Sequence, residues 1–140
     1  MKLQLVPKVR GADTNKTARQ YLDFKVNGRS ILAMLGWDDA DLITPLGWGT
    51  REAEKRAIDE LLVKEIPTLP SGRALVYVCA ECGDIGCGAI AVRVERTGDQ
   101  ITWSGFAYEN GYEEARDIAA EAIHFEAQEY SAIFETIKRE

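Results

Sequence analysis

Histidine is almost missing from this chain of 140 residues: there is one, His124. Cysteine is scarce too. There are three, an odd number that leaves one thiol over in any pairing and argues against a disulfide framework. No window approaches the roughly 18 uninterrupted apolar residues of a membrane span, and the opening MKLQLVPKVRGADTNK has no apolar run of signal-peptide length. Together these absences predict a cytoplasmic protein that does not engage a membrane. A basic stripe is lacking as well. Residues 1–108 hold 14 Lys or Arg against 14 Asp or Glu, whereas residues 109–140 hold Arg116, Lys138 and Arg139 against nine acids. The net charge of −6 therefore sits in the last segment, which disfavours direct binding of nucleic acid and points to a basic protein partner.

What remains is a globular composition, 46% hydrophobic and 29% charged. A chain of this length buries about two-thirds of its unfolded surface, so folding requires neither metal nor disulfide. LQLV alternates, and Asn27-Gly28 separates two β-prone runs, predicting strands near 2–6, 19–26 and 29–33 with a hairpin turn between the last two. LGWDDADLITPLGWG repeats Leu-Gly-Trp at 35–37 and 46–48, too briefly for a repeat architecture, and reads as a loop with two aromatic anchors. From Thr50 as cap, Ala53, Ala57, Ile58, Leu61 and Leu62 lie on one helix face that Pro67 should stop. ALVYV, GAIAVRVER and ITWSGFAYE then predict a three-stranded meander. Residues 112–138 read as a long amphipathic helix. With no internal linker, the expectation is a single α+β domain: an antiparallel sheet of five or six strands covered by two main helices.

All three cysteines fall within nine residues, in YVCAECGDIGCGAIAV. Cys79-x-x-Cys82-Gly83 is half of a zinc ribbon, but a structural zinc wants four protein ligands and only Cys79, Cys82 and Cys87 are thiols. The fourth would have to be Glu81, Asp84 or His124. On a helical wheel for 112–138, His124 falls opposite the apolar stripe, facing away from the sheet. A redox pair is a further alternative, although it belongs at a helix N-terminus rather than in a strand-to-strand turn with acids nearby, and no imidazole base is in prospect. The favoured expectation is small thiols packed in a tight glycine turn, with no metal, no cofactor and no catalytic role. Zinc on Cys79, Cys82 and Cys87, or thiol redox chemistry there, is the alternative.

The run Cys79-Ala80-Glu81-Cys82-Gly83-Asp84-Ile85-Gly86-Cys87-Gly88-Ala89, followed by Arg93-Val94-Glu95, Gly98-Asp99 and Thr102-Trp103, resembles a group of small uncharacterised bacterial proteins. Their hairpin commonly reads Cys-Pro-Glu-Cys-Gly-Asp-Leu-Gly-Cys-Gly-Ala, and the likeness spans residues 73–110. The group carries no agreed activity. Some members bear an oxidoreductase label, for which this chain shows neither base nor cofactor signature. Ala80 departs from the usual proline.

On the same wheel Glu113, Glu114, Asp117, Glu121, Gln128 and Glu135 form one face with almost no compensating base, while Glu126 falls inside the apolar stripe, either snorkelling, paired with an arginine such as Arg93, or part of a pocket. A solvated face is the bland reading. The sharper one is a binding surface, which leads to the functional expectation: a non-enzymatic immunity protein that neutralises a basic toxin, with a nuclease as one candidate, through its acidic helix. Asp38, Asp39 and Asp41 lack the spacing of a calcium loop. Trp37, Trp48 and Trp103 offer a weaker third possibility, a small-molecule pocket.

Overall fold

Two antiparallel sheets organise the chain, of which the computed structural model describes residues 1–14 and 16–137. In the first, β1 (Leu3–Arg10) pairs with β2 (Arg19–Val26) along its whole length, and β3 (Arg29–Ser30) folds back on β2. The connecting Asn27 and Gly28 sit at φ 54° and 77°, the left-handed pair that a two-residue hairpin needs. The second sheet runs β4 (Leu42–Ile43), β5 (Ala74–Cys79), β6 (Ala89–Thr97), β7 (Gln100–Glu109), β8 (Arg116–Asp117), and β9 (Ile123–Glu126) pairs with the other end of β7. The helices are α1 (Ile31–Met34), α2 (Arg51–Leu61) and α3 (Ala127–Glu135). The fold is α+β as expected, with the β5–β6–β7 meander in place.

The core is aromatic. Trp103 of β7 is fully buried and meets Phe24, Phe106, Phe125 and Tyr130 edge-on. Its indole N–H donates to the Tyr130 hydroxyl at 3.0 Å, and that hydroxyl donates to the Leu61 carbonyl at 2.5 Å, so one chain of bonds joins β7, α3 and α2. Thr50 caps α2 by accepting from the Ala53 N–H, as expected.

The expected helix over 112–138 is corrected most heavily. Asn110 turns the chain by accepting from the N–H groups of Tyr112 and Glu113, β8 and β9 then pair with β7, and only residues 127–135 are helical; Lys138 lies outside the described residues. Ile123, Ala127, Tyr130 and Phe134 recur at helical spacing, whereas Ile123, Phe125 and Ala127 are buried at strand spacing with His124 and Glu126 exposed between them. The unpaired edge of β7 decides between the two periods, because its amides and carbonyls need partners. Glu126 is neither snorkelling nor paired with Arg93: it caps α3, accepting from Gln128 and Glu129 N–H, and, as the third alternative had it, it lines surface hollows beside Met1 and Phe125. Two smaller corrections follow. The strand expected at 29–33 gives way to α1 after Ser30, and α2 ends at Leu61, short of Pro67, with Val63 at φ 60° in the turn beyond it. Among the described residues, no helix is long and apolar enough to cross a membrane.

Candidate metal centre

Cys79 is the last residue of β5, opposite Leu42 of β4, so the loop between the two Leu-Gly-Trp copies supplies an edge strand beside it. Beyond Cys79 the chain turns sharply, with Gly83 N–H bonded to the Cys79 carbonyl at 2.9 Å. A 3-10 turn over Ile85–Cys87 follows, its start capped by Asp84, which accepts from Gly86 N–H. The three Sγ atoms converge to within 4.8 Å of one another, and those of Cys82 and Cys87 are 3.3 Å apart. Zinc–sulfur bonds of about 2.3 Å put the edges of a ZnS4 tetrahedron near 3.8 Å, so the three sulfurs are close enough together to share one ion. Cys79 is half-buried; Cys82 and Cys87 are exposed.

Aromatic side chains prop this loop from below. Trp48 lies under Gly83, where an added Cβ would sit 3.5 Å from the indole, and the Tyr112 hydroxyl lies beside Gly86. Gly88, at φ 94°, is the tightest point: a Cβ there would fall 1.9 Å from the Tyr108 hydroxyl, and Tyr108 is itself stacked on Trp37 at 5.1 Å. Trp37 and Trp48 are therefore supports of the cysteine loop, while Trp103 belongs to the core. Trp48 also walls an open cleft of about 590 Å³ that it shares with Arg56, Glu60, Val78 and Cys82.

Two arginines from the far end of the β1–β2 hairpin clamp the same loop. Arg10 forms a forked pair with Asp41 and a salt bridge with Glu81. Glu81 further accepts from the Thr17 N–H at 3.0 Å and hydroxyl at 2.9 Å, and these bonds, the Thr17 amide first and Arg10 next, hold its carboxyl down to about 2. Arg19 lies over the Trp48 ring at 4.6 Å and donates to the carbonyls of Ala80 at 2.9 Å and Glu81 at 2.7 Å. The amides at the other ends of those two peptide groups, on Glu81 and Cys82, favour a thiolate at Cys79, and the Asp84 N–H donates to the Cys82 sulfur at 3.4 Å. Arg19 thus holds the two peptides whose amides act on Cys79. Burial works against a Cys79 thiolate, yet the amides of Cys82 and Glu81 and the neighbouring thiols outweigh it and place the thiol below its ordinary value. Cys82 and Cys79, by contrast, push the Cys87 thiol up to about 11. A thiolate is favoured at Cys79 and resisted at Cys87, the electrostatic situation that a bound cation reverses.

Sequence-predicted residues fall as follows. Cys79, Cys82 and Cys87 come together. His124 lies on β9, bonded through Nδ1 to the Thr102 hydroxyl at 3.0 Å, and joins no cluster with the thiols. Asp41 is taken by Arg10. Glu113 and Glu114 occupy the turn before β8, Asp117 is on β8 with Arg73 at 3.6 Å, Glu121 is in the link to β9, and Gln128 and Glu135 are on α3, all exposed. They do not form one helix face, because the helix does not extend over 112–126. Sequence reasoning missed Arg10, Thr17, Arg19 and Tyr108; the closely spaced Gly83, Gly86 and Gly88 were the signal that large side chains approach this loop. No family model, no curated protein and no solved structure matches the chain.

Proposed function

We propose that the protein binds a thiophilic metal ion of the zinc class through Cys79, Cys82 and Cys87. The convergence of three sulfurs from two ends of a clamped loop carries this reading. Tight packing explains small side chains at these positions, but it does not call for three sulfurs gathered together, nor for a backbone N–H on the Cys82 sulfur. The site is a binding centre rather than a catalytic one, since the described residues bring no imidazole to it, and a reducing cytoplasm is the compartment that keeps such thiols free. Reduced protein loaded with zinc and desalted should retain one ion per chain by elemental analysis, and cobalt in its place should give sulfur-to-metal charge-transfer bands. Protein that leaves the column metal-free would sink the reading.

Arg19 tests the hold on the loop. Arg19→Met removes both guanidinium bonds while keeping an aliphatic stem on Trp48, and is expected to weaken zinc affinity by about 10–100-fold, the usual cost of losing a group that orients a ligand. Chelator competition gives the affinity, and melting of the metal-free protein should shift little. A matching loss of stability with unchanged affinity would make Arg19 a purely structural clamp.

A second reading is a binding protein of the immunity type for a basic toxin. Exposure of Glu113, Glu114, Asp117 and Glu121 on one short stretch beside the exposed ring of Tyr112 supports it. Salt-sensitive capture of a basic protein, lost when these acids become lysine, is its test.

A further inference from the structure

Among the described residues the thiol cluster has three donors and no fourth: no histidine or carboxylate completes the group. Of the acids closest in sequence, Glu81 has both oxygens on Arg10 and Thr17, and Asp84 turns one oxygen to the Gly86 N–H. The face of the cluster formed by Cys82 and Cys87 is open to solvent. The spacing is also narrow. With bonds of about 2.3 Å to sulfur, the 3.3 Å separation of Cys82 and Cys87 subtends about 92° at the centre, against about 109° in a tetrahedron.

Three soft donors on one side, a Cys82–Cys87 spacing nearer a right angle than a tetrahedral one, and an open face opposite describe a different partner from four-coordinate zinc. We infer that the cluster takes a three-coordinate pyramidal ion of the trivalent arsenic class, in which three bonds lie near right angles and a lone pair fills the remaining face; this rests on the thiols acting as an ion site. Soft sulfur favours such an ion over hard cations. The reaction balances without redox chemistry. Arsenious acid, As(OH)3, exchanges its three As–O bonds for three As–S bonds, each hydroxyl leaves with one thiol proton as water, and arsenic stays trivalent. Because the loop holds all three sulfurs in place beforehand, the second and third bonds form within one molecule, which multiplies the affinity.

The probe is sodium arsenite added to the reduced, full chain, with zinc titrated in parallel. The expected result is three thiols consumed per arsenic, a mass gain of one arsenic less three hydrogens, and displacement of zinc by one equivalent of arsenite. Cys82→Ser and Cys87→Ser, both at exposed positions and both checked by melting, should each weaken arsenite binding by roughly a hundredfold or more, since one intramolecular bond is lost. Arsenite uptake with no zinc uptake would support the inference and remove the divalent reading. Zinc bound normally while arsenite consumes only two thiols, or binds the serine variants as tightly as the native chain, would overturn the inference and leave the zinc reading standing. If neither ion binds, both fall.

Discussion

Cys82→Ser is expected to lower zinc affinity by about a hundredfold to a thousandfold. Structural zinc in thiolate sites binds with an apparent free energy of about 10–16 kcal/mol, so one ligand's share of three is about 3–5 kcal/mol, of which the remaining thiols and water recover part. Cys82 suits the test better than Cys79 because it is exposed in the turn, whereas Cys79 is half-buried at the end of β5. Serine keeps the shape of the side chain and removes the soft donor, so melting of the metal-free protein should stay within about 0.5 kcal/mol of the native value. Competition with a coloured chelator at fixed pH gives the affinity. The pH must be held, because zinc uptake displaces thiol protons and weakens on acidification. An unchanged zinc affinity in this variant would remove Cys82 from the ligand set and with it the three-thiol site.

Trp103→Ala should cost about 3–5 kcal/mol of stability, the largest effect expected from any single core change here. The indole touches four aromatic rings and holds Tyr130, through which β7 is tied to α3 and α2. Its removal leaves a cavity that the second sheet is too constrained to close, and it strips the Tyr130 hydroxyl of its donor. Against a total stability of about 5–15 kcal/mol, the variant would be marginal or unfolded at physiological temperature. Trp103→Phe keeps a ring and loses the hydrogen bond, so it should fall between the two. Urea unfolding followed by far-ultraviolet circular dichroism measures both. A loss below about 1 kcal/mol for the alanine variant would mean that the core is not organised around this residue.

The legible parts of the fold were those that neighbouring residues decide. Asn27-Gly28 supports left-handed backbone wherever it occurs, so the β2–β3 turn could be placed. Thr50 ahead of an apolar helical period gave α2 its start, although its end came earlier than Pro67 suggested. ALVYV and its neighbours are β-branched and aromatic runs divided by glycine, which suffices for a meander. Residues 112–126 were misread because their apolar positions suit two periods at once. The two Leu-Gly-Trp copies looked like a plain loop, since a two-residue edge strand such as β4 exists only through its pairing with β5.

Composition and order along the chain determined the α+β class, the clustering of thiols within nine residues and the position of the acidic excess. These are properties of local sequence, and backbone propensity and side-chain chemistry act on them directly. Only the tertiary structure decided that the acids do not share one helix face and that the three sulfurs do share one point. Both outcomes depend on contacts between distant segments: the free edge of β7 draws residues 116–117 and 123–126 into strands, and Arg10 and Arg19, about 60 to 70 positions before the loop, hold its carbonyls and its acid in place. Pairings of that kind cost loop-closure entropy and are repaid by hydrogen bonds and burial elsewhere in the chain, so no local pattern records them.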